Sequence, residues 1–157
     1  MTVPMNTAPV NSDSTPDVPS TRVLCVDDNQ DLTAALRMVI DSEPKMQCVG
    51  CLTSADDLIE KVRRLGPLPA SASLVILLDA TMPGKDPFAA MSELAAEFPR
   101  IKTVVYSGHD DPDFIDKAVS AGAWGCVSKH EDPRTILEAV REVAAGNFWS
   151  PRRLHGG

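Results

Sequence analysis

Residues Leu74–Leu78 read Leu-Val-Ile-Leu-Leu, a run with no polar face, and Asp79 follows it directly. A short run this rich in branched side chains reads as a strand, and its lack of alternation means that both faces are covered. Four more runs have strand character: Arg22–Val26, Met46–Leu52, Ile101–Tyr106 and Trp124–Val127. The segments between and after them carry apolar residues at helical spacing. The stripes are Leu32/Leu36/Val39/Ile40, Leu58/Ile59/Val62/Leu65, Phe88/Met91/Leu94/Ala95, a weaker Phe114/Ala118/Val119, and Ile136/Leu137/Val140/Val143/Ala144. Such stripes are core-packing faces, and no function is assigned to them.

The punctuation agrees with this division. Asp86-Pro87, Asp111-Pro112 and Asp132-Pro133 each offer an N-cap acceptor followed by a proline suited to the first helical position. Ser54 with Asp57 reads as a capping box, and Gly122 and Gly146 stand where left-handed helix caps belong. Strands alternating with helices predict an α/β domain, (βα)5, with a doubly wound five-stranded parallel sheet. Right-handed crossovers leave few topologies, of which the flavodoxin-like order 2-1-3-4-5 is expected from fold statistics. Residues 1–20, rich in Pro, Ser, Thr, Asn and Asp, are expected to be a flexible N-terminal leader. The ordered domain is expected over 21–147 and a linker or tail over 148–157.

Composition excludes some function classes. The net charge of -7 and the lack of a long basic run disfavour nucleic-acid binding by this chain alone. No basic residue precedes Arg22, no secretory apolar region follows the N-terminus, and no apolar stretch approaches the roughly 20 residues that span a bilayer. A cytoplasmic protein without membrane contact is expected. Of the four cysteines, Cys48 and Cys51 form a C-x-x-C, but no second pair follows and the histidines at 109, 130 and 155 are scattered. Small buried hydrophobes in a reducing compartment are the expected reading, rather than a zinc or redox site.

In an open parallel sheet, sites form beyond the carboxyl ends of the strands. Asp27 and Asp28 follow the first strand, Asp79 the third, Ser107 the fourth, and Ser128 and Lys129 the fifth. Strands one and three are neighbours in the expected order, so three carboxylates crowd together. Two unit charges 4 Å apart repel by about 4 kcal/mol at an effective dielectric near 20. A divalent cation with oxygen ligands offsets this best, which points to Mg²⁺, with Lys129 adding positive charge from the far side. Any of these residues alone would be a turn former or a solvated lysine. Their joint placement at four strand ends is the signal.

The blocks Val-Leu-Cys-Val-Asp27-Asp28-Asn29, Val-Ile-Leu-Leu-Asp79-Ala-Thr-Met82-Pro83-Gly84, Val-Val-Tyr-Ser107-Gly108 and Gly122-Ala123-Trp-Gly125-Cys-Val-Ser-Lys129 resemble the response-regulator receiver domain of two-component systems, across about residues 21–147. The resemblance implies that Asp79 is the phospho-acceptor. It makes Asp27, Asp28, Asp79 and the Thr81 backbone carbonyl the Mg²⁺ ligands. Ser107 becomes the switch hydroxyl and Lys129 the partner of a phosphoryl oxygen. It further implies a sensor histidine kinase or phosphotransfer protein as donor, a possible homodimer, and no classical enzyme activity. The Trp-Gly-Cys-Val-Ser-Lys block and the ending Ala-Ala-Gly-Asn-Phe-Trp-Ser-Pro are most similar to receivers that precede a LuxR-type helix-turn-helix. The chain would then be a stand-alone receiver or one truncated before an output domain that regulates transcription.

Three departures from the family pattern stand out. Cys126 occupies the place of a switch aromatic, so either the switch works without it or the output surface is unusual. Lys85-Asp86-Pro87 follows the Met-Pro-Gly turn, which implies altered loop geometry. His130 replaces a proline. Thr81 and His109 occupy positions that in this family influence phosphoryl loss. An aspartyl-phosphate phosphatase is the first competing reading, but it needs a second Asp where Thr81 stands. A degenerate receiver used as a binding module is the other. The complete set Asp27, Asp28, Asp79, Ser107 and Lys129 argues against it.

Overall fold

A computed structural model describes residues 20–82, 84–108 and 112–150. The expected leader, apart from Ser20, and the last seven residues of the expected tail lie outside this range, as do Asp111 and His109. Five strands alternate with five helices: β1 Thr21–Val26, α1 Gln30–Asp41, β2 Met46–Leu52, α2 Leu58–Leu65, β3 Ser73–Asp79, α3 Pro87–Glu97, β4 Lys102–Ser107, α4 Pro112–Ser120, β5 Gly125–Ser128 and α5 Pro133–Ala144. All strand pairs are parallel and the order is β2-β1-β3-β4-β5, the doubly wound topology expected from the sequence.

Strand parity divides the core into two layers. Val23, Cys25, Val75, Leu77, Val104, Tyr106 and Val127 face α1 and α5, meeting Leu36, Ile40, Leu137 and Val140. Leu24, Val26, Leu74, Ile76, Leu78, Val105 and Cys126 face α2, α3 and α4, meeting Leu58, Val62, Met91, Leu94 and Ala118. Leu74–Asp79 is buried throughout, as a strand covered on both sides must be. The pairing of β1 with β2 steps from Val23↔Cys48 to Leu24↔Gly50, so Val49 is an extra residue at a bulge.

Capping follows local chemistry, with one correction. Asp86 accepts from the Phe88 N–H and Asp132 from the Arg134 N–H, each with proline at the helix start. Gly122 and Gly146 adopt φ of 114° and 95°, and the residue after each donates five residues back into the preceding helix, Ala123 to Ala118 and Asn147 to Glu142. Ser54, however, is not a helix cap. Its hydroxyl accepts from the Asp56 N–H in a tight turn, and α2 begins later, at Leu58, after Asp57.

Two stripes are also rotated from expectation. The buried face of α3 is Pro87, Ala90, Met91 and Leu94, with Ala95 exposed; that of α4 is Ile115 and Ala118, with Val119 exposed. Both helices are short and rich in alanine or polar residues, so their apolar periodicity is weak.

Packing continues past residue 147. Trp149 is buried in the α1/α5 layer, accepts from the Cys126 N–H and donates to the Trp124 carbonyl, lying along β5. Trp149→Ala is expected to cost about 3 kcal/mol through lost burial and an incompletely collapsed cavity, measurable by urea denaturation.

Candidate functional site

Asp27 sits directly beyond β1, where its backbone N–H still donates to the Leu52 carbonyl of β2. Its side chain is 2% exposed. One carboxylate oxygen, Oδ1, accepts from the Asn29 N–H at 2.9 Å, and Asn29 in turn caps α1 by accepting from the Leu32 N–H. The turn that starts α1 therefore aims Asp27 inward. Asp28, next along the chain, remains exposed.

Asp79 closes β3 and is 1% exposed. Its Oδ1 accepts from both the Thr81 N–H (3.0 Å) and the Thr81 hydroxyl (2.8 Å). Its Oδ2 accepts from the Lys129 ammonium at 3.1 Å. Lys129 Nζ also lies 3.2 Å from Asp27 Oδ2. One ammonium thus bridges carboxylates from two adjacent strands. Carboxylate oxygens of Asp27, Asp28 and Asp79 all lie within 4.8 Å of one another.

The lysine is held from beneath. Its backbone N–H donates to the Ser107 carbonyl at 2.7 Å, and its Nζ stands 5.5 Å from the centre of the Tyr106 ring. Tyr106 pairs in register with Asp79 and is buried at 2% exposure. Ser107 is fully buried at the end of β4, in register with Ser128 of β5. The sheet thus brings Asp27, Asp28, Asp79, Thr81, Ser107 and Lys129 to its carboxyl end.

Sequence reading passed over two residues that shape this end. Tyr106 supplies the aromatic floor under Lys129, a place set by the register of β4 against β3, which sequence pattern leaves open. Asp56 accepts from the Lys85 N–H at 2.9 Å, tying the loop after Asp79 to the β2–α2 turn. Its signal was masked by the capping-box reading of the same turn. Gly84 in that loop has φ of 96°, and a Cβ there would come 3.3 Å from an Asp56 oxygen, so this altered turn requires glycine.

Charge balance at the site is incomplete. Burial raises the Asp27 carboxyl above its ordinary value, and the neighbouring charge of Asp79 adds to this; the Asn29 N–H and Lys129 pull the other way. Burial pulls Lys129 down but is outweighed by Asp79 and Asp27, so its ammonium is held above the usual lysine value. Asp27 Oδ2 is buried and accepts no hydrogen bond, since its contact with Lys129 is an ion pair without hydrogen-bond alignment. A buried carboxylate oxygen with idle lone pairs, beside two more carboxylates, fits a hard divalent cation.

A raised carboxyl pKa means that the folded state holds this proton to higher pH than the unfolded chain. In metal-free buffer, Asp27 therefore makes stability fall as pH rises from its ordinary value of 3.8 through its raised value. Denaturation across a pH series should show this slope in the wild type and its loss in Asp27→Asn.

Cys126 faces the α2/α3/α4 layer, and burial pushes its thiol up to about 11, so it is a packed, unreactive residue. Cys25 and Cys48 are buried as expected, but together with the half-buried Cys51 they converge on one another.

A 2-1-3-4-5 parallel sheet with an acidic cluster and a bridging lysine at its carboxyl end defines a doubly wound α/β domain of the receiver class. The family of response regulator receiver domains matches residues 23–141, and the chain belongs to that family. Among curated relatives, the transcriptional regulatory protein DegU of Brevibacillus brevis is 28% identical over 135 residues, covering 85% of this chain and 55% of that protein. Response regulator GacA of Pseudomonas protegens is 30% identical over 132 residues, covering 83% of this chain and 59% of GacA. The chain thus spans a little over half the length of these relatives.

Among solved structures, a LuxR-family two-component response regulator from Aurantimonas sp. SI85-9A1 superposes with a TM-score of 0.73 at 26% identity, covering 83% of this chain and 90% of that one. The receiver domain of NarL from Mycobacterium tuberculosis shares the fold, with a TM-score of 0.71 at 24% identity over 80% of this chain and 97% of that one. Receiver domains are signalling proteins of two-component systems that interact with histidine kinases and phosphotransfer proteins and bind Mg²⁺ at an acidic pocket. Among the described residues no helix is long and apolar enough to cross a membrane.

Proposed function

We propose that this chain is a phosphorylation-controlled switch that accepts a phosphoryl group on Asp79 from a histidine kinase or phosphotransfer protein. The observation that carries this reading is the Asp79 carboxylate itself. It is buried at a strand end, oriented by Thr81 and faced by Lys129 within the Asp27/Asp28/Asp79 cluster. An Asp79 oxygen forms the new bond to phosphorus while the bond from phosphorus to the donor's imidazole nitrogen breaks, and the imidazole leaves with the bonding pair.

Asp27, Asp28, Asp79 and the Thr81 carbonyl would hold the ion. Bound magnesium supplies positive charge against the phosphoryl oxygens as the donor bond breaks. Lys129, already between Asp27 and Asp79, pairs with a phosphoryl oxygen in the product. Ser107, buried at the end of the next strand, offers the hydroxyl that the new oxygens draw inward. The β4–β5 surface then shifts between two states. A full reversal from 1:99 to 99:1 requires about 5.5 kcal/mol, so Ser107 and Lys129 must act together. By analogy with its relatives, the output is control of transcription through an attached DNA-binding part, with homodimerisation as a possible step.

Incubation with acetyl phosphate and Mg²⁺, followed by intact mass measurement, should show one phosphoryl group per chain, and none when EDTA replaces Mg²⁺. A folded protein that takes up neither phosphoryl nor beryllofluoride would instead be a phosphorylation-independent binding module. Thr81→Ala removes the 2.8 Å hydroxyl contact to Asp79. It should change the lifetime of the phosphorylated form while altering stability by less than about 1 kcal/mol, because Thr81 is exposed. Decay kinetics of the purified phosphoprotein test this.

A further inference from the structure

Among the described residues, only one other group of metal-ligating side chains converges: Cys25, Cys48 and Cys51, with sulfurs within 4.8 Å of one another. Spacing alone does not predict this. On a regular strand, residues three apart point to opposite faces. The bulge at Val49 cancels that alternation, because β1 pairs Val23 with Cys48 and then Leu24 with Gly50 and Cys25 with Cys51. Both β2 cysteines therefore join Cys25 in the layer beneath α1 and α5. Beside the bulge, a Cβ at Gly50 would meet Lys61 Cε at 3.0 Å and Leu24 Cδ1 at 3.2 Å, so a larger residue there would require those side chains to give.

Contacts from α1 hold the strand that carries two of the sulfurs. Asp41 of α1 accepts from the Cys48 N–H at 2.7 Å and fixes the start of β2 against the helix. Arg37, one turn earlier, has its Nε 3.9 Å from an Asp41 oxygen, so a positive charge stands on the same side. The Cys48 thiol donates to the Gly50 carbonyl at 3.4 Å. All three thiols are free.

We propose that Cys25, Cys48 and Cys51 form a three-sulfur site for a soft monovalent cation, copper(I), lodged between β1, β2 and α1. Metal–sulfur bonds of about 2.3 Å place the sulfurs of a trigonal site roughly 4 Å apart, so a contraction of under about 1 Å closes the set. Thiolate donors select copper(I), zinc and iron–sulfur clusters among biological metals, and the common clusters take four cysteines. Structural zinc takes four ligands, and among the described residues no fourth cysteine, histidine or carboxylate joins this group. Cys51, half-buried, is the entry side, while Cys25 and Cys48 at 1% and 3% exposure keep water from the ion. Loading displaces thiol protons to the solvent.

The test is an anaerobic titration of the full chain with copper(I) against a colorimetric copper(I) chelator, with a parallel zinc titration. One copper per chain is expected, with an X-ray absorption spectrum showing a sulfur-only shell. Cys51→Ser, a conservative change at a half-buried position, should weaken capture by more than the roughly tenfold typical of losing an outer partner. Cys126→Ser should leave it unchanged. Circular dichroism of each variant separates ligand loss from misfolding. Failure to take copper from the chelator overturns the assignment. So does undiminished capture by folded Cys51→Ser, or zinc held as tightly as copper.

Discussion

Asp79→Asn is expected to abolish phosphoryl uptake from acetyl phosphate, leaving no modified species under conditions that convert the wild type. The amide keeps the oxygen that accepts from the Thr81 N–H and hydroxyl. What it loses is the nucleophilic carboxylate charge and the oxygen that accepts from the Lys129 ammonium at 3.1 Å. Removing one of two buried carboxylates that share Lys129 also relieves repulsion with Asp27. The variant's stability in EDTA should therefore not fall by more than about 1 kcal/mol. Intact mass and urea denaturation on the same preparation check both halves. Residual uptake would mean that another carboxylate is the acceptor.

Lys129→Met has a different signature. Asp27 and Asp79 are each about 2% exposed as side chains, and one ammonium serves both. Its deletion leaves two buried negative charges facing each other. Removing one partner from a buried ion pair costs about 3–5 kcal/mol. In metal-free buffer at neutral pH the variant should be destabilised by that order. The elevated lysine pKa sets the sign: its stabilisation is complete below the ordinary value of 10.5 and is lost only as pH rises through the raised value, so neutral pH shows the full effect. Two additions should restore stability. Acid protonates the carboxylates, and Mg²⁺ neutralises them, so Mg²⁺ should bind Lys129→Met more tightly than the wild type. Phosphoryl uptake should still slow by about 10²-fold, because the ammonium no longer meets the phosphoryl oxygens. Thermal denaturation with and without Mg²⁺, together with uptake kinetics, tests the pattern.

The arrangement of the sheet was legible because Leu74–Leu78 of β3 is wholly apolar and aspartates with prolines mark the starts of α3 and α5. Both are local signals whose physics hardly depends on tertiary context. The acidic cluster was legible for a topological reason: once strands one and three are neighbours, the residues that follow them must meet. Pairwise detail was not. That Lys129 would bridge Asp27 as well as Asp79, or that Tyr106 would lie beneath it, depends on strand register, which sequence pattern leaves open.

The same reason explains the corrected features. Ser54 and Asp57 have the spacing of a cap, but the turn is shaped by Asp56 reaching across to Lys85, a contact 29 residues distant. The C-x-x-C was set aside for want of a second pair and of nearby histidines, and the convergence of all three sulfurs depends on the bulge at Val49, which turns Cys48 and Cys51 to one side. The role of Trp149 was hidden because residues beyond the last helix carry no periodicity, and only the edge of β5 gives that indole a place.

The account rests on the carboxylates at the ends of β1 and β3 forming a divalent-cation site beside Lys129. A crystal grown with Mn²⁺ and measured for anomalous scattering tests this most directly. The predicted result is one strong peak bounded by carboxylate oxygens of Asp27, Asp28 and Asp79 and by the Thr81 carbonyl, weakened in Asp28→Ala. A peak located elsewhere, or an empty acidic end at millimolar Mn²⁺, would contradict it.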